Sequence, residues 1–181
     1  MKKIKMITSL TCSVTRVGFF ALILLSGLTS CDKENHDPLK HQLSELRKAT
    51  APFHNIDKAH KAGYTISIPD NPQECLADPK LGAMGLHFGK GDLIANTTLK
   101  VSEPEVLIYE PQSDGSLELV GVEYVVPFAL WSEDKTPPTL FGQDFLPNDR
   151  FQVWALHVWI WRNNPNGLFT PYNPDVSCAA F

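Results

Sequence analysis

The sequence predicts an α+β fold in which an N-terminal helical layer packs on a curved, mainly antiparallel sheet. Three observations indicate this: leucines recur at helical spacing after residue 37, β-type runs take over from residue 64, and an Asp-Gly turn joins two of those runs. The 181-residue chain shows no fixed-period repeat. One globular domain is predicted, spanning residues 38–181.

The first two elements are predicted to be helices. The first begins at Asp37-Pro38, because aspartate caps a helix and proline fits its first position. The second restarts after Pro52 and stops at Gly63, a residue type that commonly ends helices. The apolar face of the first helix is formed by Leu39, Leu43 and Leu46.

The remaining elements are predicted to be strands. Residues 106–110 and 117–126 flank an Asp-Gly turn, which predicts a β-hairpin. Residues 151–162 form a nearly continuous apolar run, typical of a central strand that is covered on both faces. The stretch 131–149 is rich in proline and charge and predicts a loop, with 140–142 turned inward. Two further strands are predicted at 64–68 and 84–88.

The N-terminus has the anatomy of an export signal. Basic residues precede an apolar stretch, residues 17–28, that is shorter than the roughly 20 residues a membrane span needs. Leu28-Thr29-Ser30-Cys31 follows and resembles the lipobox of bacterial lipoproteins. This resemblance implies that residues 1–30 are removed, that Cys31 is acylated, and that residues 31–37 form a polar tether. The domain would then be lipid-anchored outside the cytoplasm, on the periplasmic or cell-surface side of a bacterial membrane.

Charge argues against two classes of partner. The chain holds 16 basic and 20 acidic residues, and the predicted leader contains four of the basic ones and none of the acidic ones. The remaining chain therefore carries 12 basic residues against 20 acidic ones, a formal charge of −8. An acidic surface without a basic cluster disfavours nucleic acid and disfavours electrostatic docking to anionic lipid. Membrane attachment is expected through the lipid alone.

Two cysteines remain after the predicted leader and the lipidated Cys31. Cys75 and Cys178 are predicted to form a disulfide, since an exported protein meets an oxidising compartment. The alternative is that they are metal-binding thiolates, but no C-x-x-C spacing supports it.

Candidate chemistry comes from polar side chains within apolar strands. His157 alternates with Val153, Ala155 and Trp159, so it is predicted to be buried or to line a cavity. His87 lies between Gly85 and Gly89 on its own face, which leaves room for a ligand to approach. The carboxylate of Glu123 interrupts the apolar run 120–126, and a buried carboxylate needs a partner such as histidine or a cation.

If His87, Glu123 and His157 converge, they predict one of two sites. Two histidines and one carboxylate suit a transition metal such as Zn, Cu or Fe. Alternatively, a His/Glu pair would act as acid and base on a small substrate. The structural alternatives are that both histidines are core residues bonded to backbone and that Glu123 faces solvent at a strand edge.

Aromatic residues crowd the last third of the chain. Trp131, Trp159 and Trp161 are candidates for lining a ligand pocket, for example for a sugar or a flat apolar molecule. The alternative is that these rings build the core. By strand alternation, Trp154 is expected on the face opposite to Trp159 and Trp161.

Several segments together resemble a group of bacterial secreted proteins and lipoproteins without an established activity. The resemblance implies an exported single-domain protein and transfers no mechanism or catalytic residue. The segments that carry it are 49–64, 82–87, 107–111, 122–124, 140–142, 156–165 and 176–178.

The sequence names no reaction. It lacks the G-x-S-x-G, H-E-x-x-H, Walker, dinucleotide-binding and EF-hand patterns. The favoured hypothesis is an extracytoplasmic domain with a small-molecule or transition-metal pocket. The rival is a non-catalytic envelope protein that binds a protein or glycan through its surface.

Overall fold

The computed structural model describes residues 37–69, 74–132 and 136–180. The predicted signal peptide, Cys31 and the tether up to residue 36 lie outside these described residues. The helices are Pro38–Thr50 (α1), Ile56–Lys61 (α2) and Gly91–Ile94 (α3), with 3-10 turns at Ala51–His54 and Phe128–Leu130. The strands are Tyr64–Ile68 (β1), Leu76–Asp78 (β2), Gly82–Lys90 (β3), Val106–Pro111 (β4), Leu117–Pro127 (β5), Thr139–Leu140 (β6), Gln143–Asp144 (β7), Leu146–Asn148 (β8) and Val153–Val158 (β9).

The helical layer begins as the sequence predicts. The side chain of Asp37 accepts hydrogen bonds from the amides of Leu39 and Lys40 and caps α1. The helix gives way to the 3-10 turn that contains Pro52, and α2 ends before Gly63, whose φ of +97° is the left-handed conformation that glycine favours. The predicted break and stop are therefore confirmed.

The main sheet has the order β1-β3-β4-β5-β9-β8, and β2 pairs with β3. All these pairings are antiparallel, which confirms the α+β class. The β4–β5 hairpin is formed through the Asp-Gly turn as predicted. One face of the sheet packs on the helices, where the Tyr109 hydroxyl donates to the Phe53 carbonyl at 2.7 Å. The opposite face carries two smaller apolar clusters, one around Val106 and one around Trp159.

The last strand is shorter than the sequence predicts. The apolar run 151–162 forms a strand only at Val153–Val158, because the next amides leave the β9 ladder. The amide of Trp159 donates to Leu168, and the amides of Trp161 and Arg162 both donate to Val120. The predicted loop 131–149 contains β6, β7 and β8. Of the segment 140–142 that was expected to turn inward, Phe141 is buried and Leu140 is half-buried, but Gly142 is exposed.

A disulfide joins Cys75 to Cys178, as predicted, with the Cα atoms 5.7 Å apart and a sequence separation of 103. The C-terminal segment is also tied to β3, because Ala83 and Asn173 exchange both backbone hydrogen bonds. Gly82 permits this contact, since a Cβ there would lie 2.3 Å from the Asn173 carbonyl oxygen. A disulfide is typical of an oxidising, extracytoplasmic environment. No helix within the described ranges is long and apolar enough to cross a bilayer.

Candidate metal centre

Three strands bring the predicted ligands to one face of the sheet. Glu123 on β5 lies directly opposite His157 on β9. His87 lies on β3, and β4 runs between β3 and β5 with Ile108 opposite His87 and Val106 opposite Glu123. Because side chains alternate along a strand, all three point away from the helical layer.

The three side chains converge. The Nε2 atom of His87 lies 3.9 Å from Glu123 Oε2, and the Nε2 atom of His157 lies 3.5 Å from Glu123 Oε1. The two imidazole rings are 5.9 Å apart between centroids and nearly perpendicular. One ligand atom from each residue lies within 4.8 Å of the other two. The structure thus assembles a possible His/Glu metal-binding triad from the residues that the sequence singles out.

Burial favours the uncharged form of each group. The exposed fraction is 4% for His87, 6% for Glu123 and 3% for His157. Desolvation lowers the pKa of His87 to about 4 and that of His157 to about 3, and it raises the pKa of Glu123 to about 8. The atoms lie within ion-pair distance, but burial opposes the charged form of all three groups. A dication would reverse this preference for Glu123 by supplying the missing charge partner.

A hydrogen bond orients the ring of His87. Its Nδ1 atom lies 3.1 Å from the carbonyl oxygen of Gly85. A carbonyl only accepts, so the ring donates from Nδ1 and keeps the lone pair of Nε2 free for a ligand role. Gly85 has a φ of +97°, and a Cβ there would lie 2.6 Å from the Tyr109 carbonyl oxygen. The position therefore requires glycine.

The Nε2 atom of His157 has no hydrogen-bond partner, although it is buried. An unpaired buried polar atom costs about 1–3 kcal/mol, so native proteins rarely tolerate one without a reason. The ring is stacked on Trp159, with centroids 6.3 Å apart and an interplanar angle of 23°. The nitrogen is thus held beside Glu123 and is available to bind an ion.

The donor set fits a transition metal. With metal–ligand bonds of about 2.1 Å, neighbouring ligands of a tetrahedral ion lie about 3.4 Å apart. The separations of 3.5 and 3.9 Å involve different oxygens of Glu123, and one ligand atom from each residue lies within 4.8 Å of the other two. The three side chains therefore have to move closer together to hold one ion. Two histidines and one carboxylate leave further coordination positions open, as in catalytic rather than structural sites.

A cavity of about 420 Å³ opens onto the site, and His87 and Glu123 form part of its lining. Most of the other lining side chains are apolar. Gly89 makes room for two of them, since a Cβ there would lie 2.7 Å from Ile94 Cδ1 and 3.0 Å from Ile68 Cδ1. The glycine next to the site therefore allows the apolar walls to come close to His87.

The tryptophans predicted to line a ligand pocket lie away from this cavity. Trp131 lines a separate pocket of about 500 Å³ with Phe128 and Trp154. Trp159 is buried and donates from Nε1 to the Thr170 carbonyl at 2.7 Å. These rings are placed by packing and by their own hydrogen bonds.

Trp161 lies on the helical side, where its Nε1 donates to Thr50 Oγ1 at 3.1 Å. Strand alternation placed it on the face of His157, which is wrong. The alternation stops at Val158, where β9 ends. Sequence periodicity holds only while the backbone remains extended.

Another buried carboxyl next to the site, that of Glu105, was missed in the sequence analysis. Glu105 is 1% exposed, and its Oε2 accepts a hydrogen bond from the amide of Val125, a residue of the cavity wall, at 3.3 Å. Burial raises its pKa to about 8. Glu105 precedes β4 directly, and no local pattern marks it as buried, because its surroundings come from distant strands.

Comparisons with known protein families, with curated proteins and with solved structures give no match for this chain. The resemblance to bacterial exported proteins therefore stays a prediction, and the functional argument depends on the geometry of the site.

Proposed function

We propose that His87, Glu123 and His157 bind one transition-metal ion at the floor of the cavity. The observation that carries this proposal is the convergence of three buried polar side chains around an unpaired imidazole nitrogen. Each group alone is costly to bury, and none is compensated by a hydrogen bond to the other two. A shared cation would satisfy all three at once.

The donor set suits Zn, Fe or Cu. Such an ion would polarise or activate a molecule bound in the cavity. The neighbouring residues would orient the metal-binding side chains. The Gly85 carbonyl fixes the ring of His87, Trp159 stacks on His157, and the surrounding strands exclude water from the ligands.

Metal content tests the proposal. After reconstitution with Zn, Cu and Fe in turn, the purified protein is expected to retain about one ion of the preferred metal per chain. His157→Ala should weaken binding at least about a hundredfold, since losing even an outer partner of a metal ligand costs 10–100-fold. His41→Ala changes an exposed histidine on α1 and serves as the matched control. Equal metal content in both variants, or none in the wild type, would contradict the proposal.

We further propose that the domain is lipid-anchored outside the cytoplasm through Cys31. The Cys75–Cys178 disulfide supports an oxidising location, and the Leu28–Cys31 segment resembles a lipobox. In a bacterial host, labelled palmitate should be incorporated into the wild-type chain and into Cys12→Ala, but not into Cys31→Ala. Label that persists in Cys31→Ala would refute the anchor.

A further inference from the structure

We infer that the cavity beside His87 and Glu123 binds a small molecule with a mainly apolar body and a single polar group directed at the triad. This inference rests on the proposed metal centre for the direction of the polar group. The volume of about 420 Å³ lies within the range of small-molecule sites, roughly 300–1,000 Å³.

The walls define the body of the ligand. Aliphatic side chains line the cavity from β1, α3, β5 and β9, and Phe151 contributes an aromatic ring. A cavity with such walls gives water few hydrogen-bond partners and favours apolar occupants. The aliphatic residues that carry this argument are Ile66, Ile68, Ile94, Val125 and Val153.

The charged and polar side chains of the cavity exclude two classes of ligand, small dicarboxylates and sugars. Among the described residues that line the cavity, none is lysine or arginine, and Glu123 is the acidic one. A small dicarboxylate needs cationic partners for both of its ends, and one metal ion would neutralise only part of its charge. A sugar needs several polar partners, whereas His87, Glu123 and Asn148 are the polar side chains that line the cavity in the described part of the chain.

The position of these polar groups defines the orientation of the ligand. His87 and Glu123 lie together on strands β3 and β5, and the aliphatic side chains surround them from neighbouring elements. A ligand that buries its apolar body against these walls therefore directs its polar end towards the triad. A primary alcohol or a carboxylic acid on a hydrocarbon chain has this form.

The test uses the neutral fluorophore N-phenyl-1-naphthylamine, whose emission rises in apolar surroundings. The full-length protein is expected to bind it, and dodecan-1-ol or dodecanoate should displace it, whereas succinate and glucose should not. Val153→Trp and Ile68→Trp fill the cavity and should weaken probe binding about tenfold to a hundredfold, which corresponds to about 1.4–2.8 kcal/mol. Leu146→Trp adds the same ring at a position that is 52% exposed and outside the cavity lining, and it should bind like the wild type.

The outcomes separate this inference from the metal proposal. Probe binding that is equal in wild type, Val153→Trp and Ile68→Trp would overturn the inference, and so would displacement by succinate or glucose. Cooperative thermal unfolding of each variant confirms that it is folded. If one of the two cavity-filling variants does not fold, the other one still tests the inference. His157→Ala should lose metal but keep the probe. A wild-type protein that binds the probe but no metal would contradict the metal centre and support the apolar cavity. A wild-type protein that binds metal but no probe would contradict the apolar ligand and support the metal centre.

Discussion

Saturating zinc is expected to raise the unfolding temperature of the wild-type protein by about 10 °C. A ligand that binds only the folded state at 1,000 times its dissociation constant adds about 4 kcal/mol to the free energy of unfolding. For a domain of this size, 1 kcal/mol corresponds to roughly 2–4 °C. Glu123→Gln and His157→Leu should reduce the shift to about 5 °C or less, because each removes one ligand from the buried triad and weakens binding at least about a hundredfold. Differential scanning calorimetry with and without zinc measures it.

The same variants distinguish a ligand from a core histidine when no metal is added. Since the Nε2 atom of His157 is buried and unpaired, His157→Leu should unfold at the same temperature as the metal-free wild type or a few degrees higher. If His157 were a core histidine that stabilises the fold, its replacement by leucine would lower the unfolding temperature. Two results together would show that His157 is a packing residue. They are a much lower unfolding temperature for His157→Leu and an unfolding temperature of the wild type that zinc does not change.

Loss of the Cys75–Cys178 disulfide is expected to lower the free energy of unfolding by about 4 to 5 kcal/mol. The chain-entropy model gives this value for a loop of about 100 residues, and here the sequence separation of the two cysteines is 103. The bond also anchors the C-terminal segment that pairs with Ala83. Urea unfolding of the double variant Cys75→Ser/Cys178→Ser measures the loss directly.

Dithiothreitol provides the control for that measurement. It should destabilise the wild type to the level of the double variant and leave the double variant unchanged, because no bond remains there to reduce. A double variant as stable as the oxidised wild type would show that the cross-link contributes nothing to folding.

The sequence was sufficient to predict His87, Glu123 and His157 as candidate ligands, because each of them interrupts an apolar strand. That signal is local: a histidine or glutamate among β-branched and aromatic neighbours is either buried or at an edge. Convergence is not local. It depends on the β5–β9 register that sets Glu123 opposite His157, and on β4 lying between β3 and β5. His87 lies on a strand that is not adjacent to β5, so its proximity to Glu123 follows only from the order of the strands in the folded sheet.

A pocket was predicted, but its apolar walls could not be, because they come from elements that are distant in sequence. Ile68 ends β1, Ile94 belongs to the four-residue helix α3, and Phe151 precedes β9. Neither α3 nor β8 has a periodic pattern long enough to be recognised. The error at Trp161 has the opposite origin, because a clear pattern was extended beyond the point where the backbone leaves the ladder.

The most direct test of the metal centre is the position of the ion in crystals of the zinc-loaded protein. An anomalous difference map at the zinc edge should show one strong peak between the Nε2 atoms of His87 and His157 and a carboxylate oxygen of Glu123. Peaks found only elsewhere, with the three side chains unchanged and no density between them, would contradict the account.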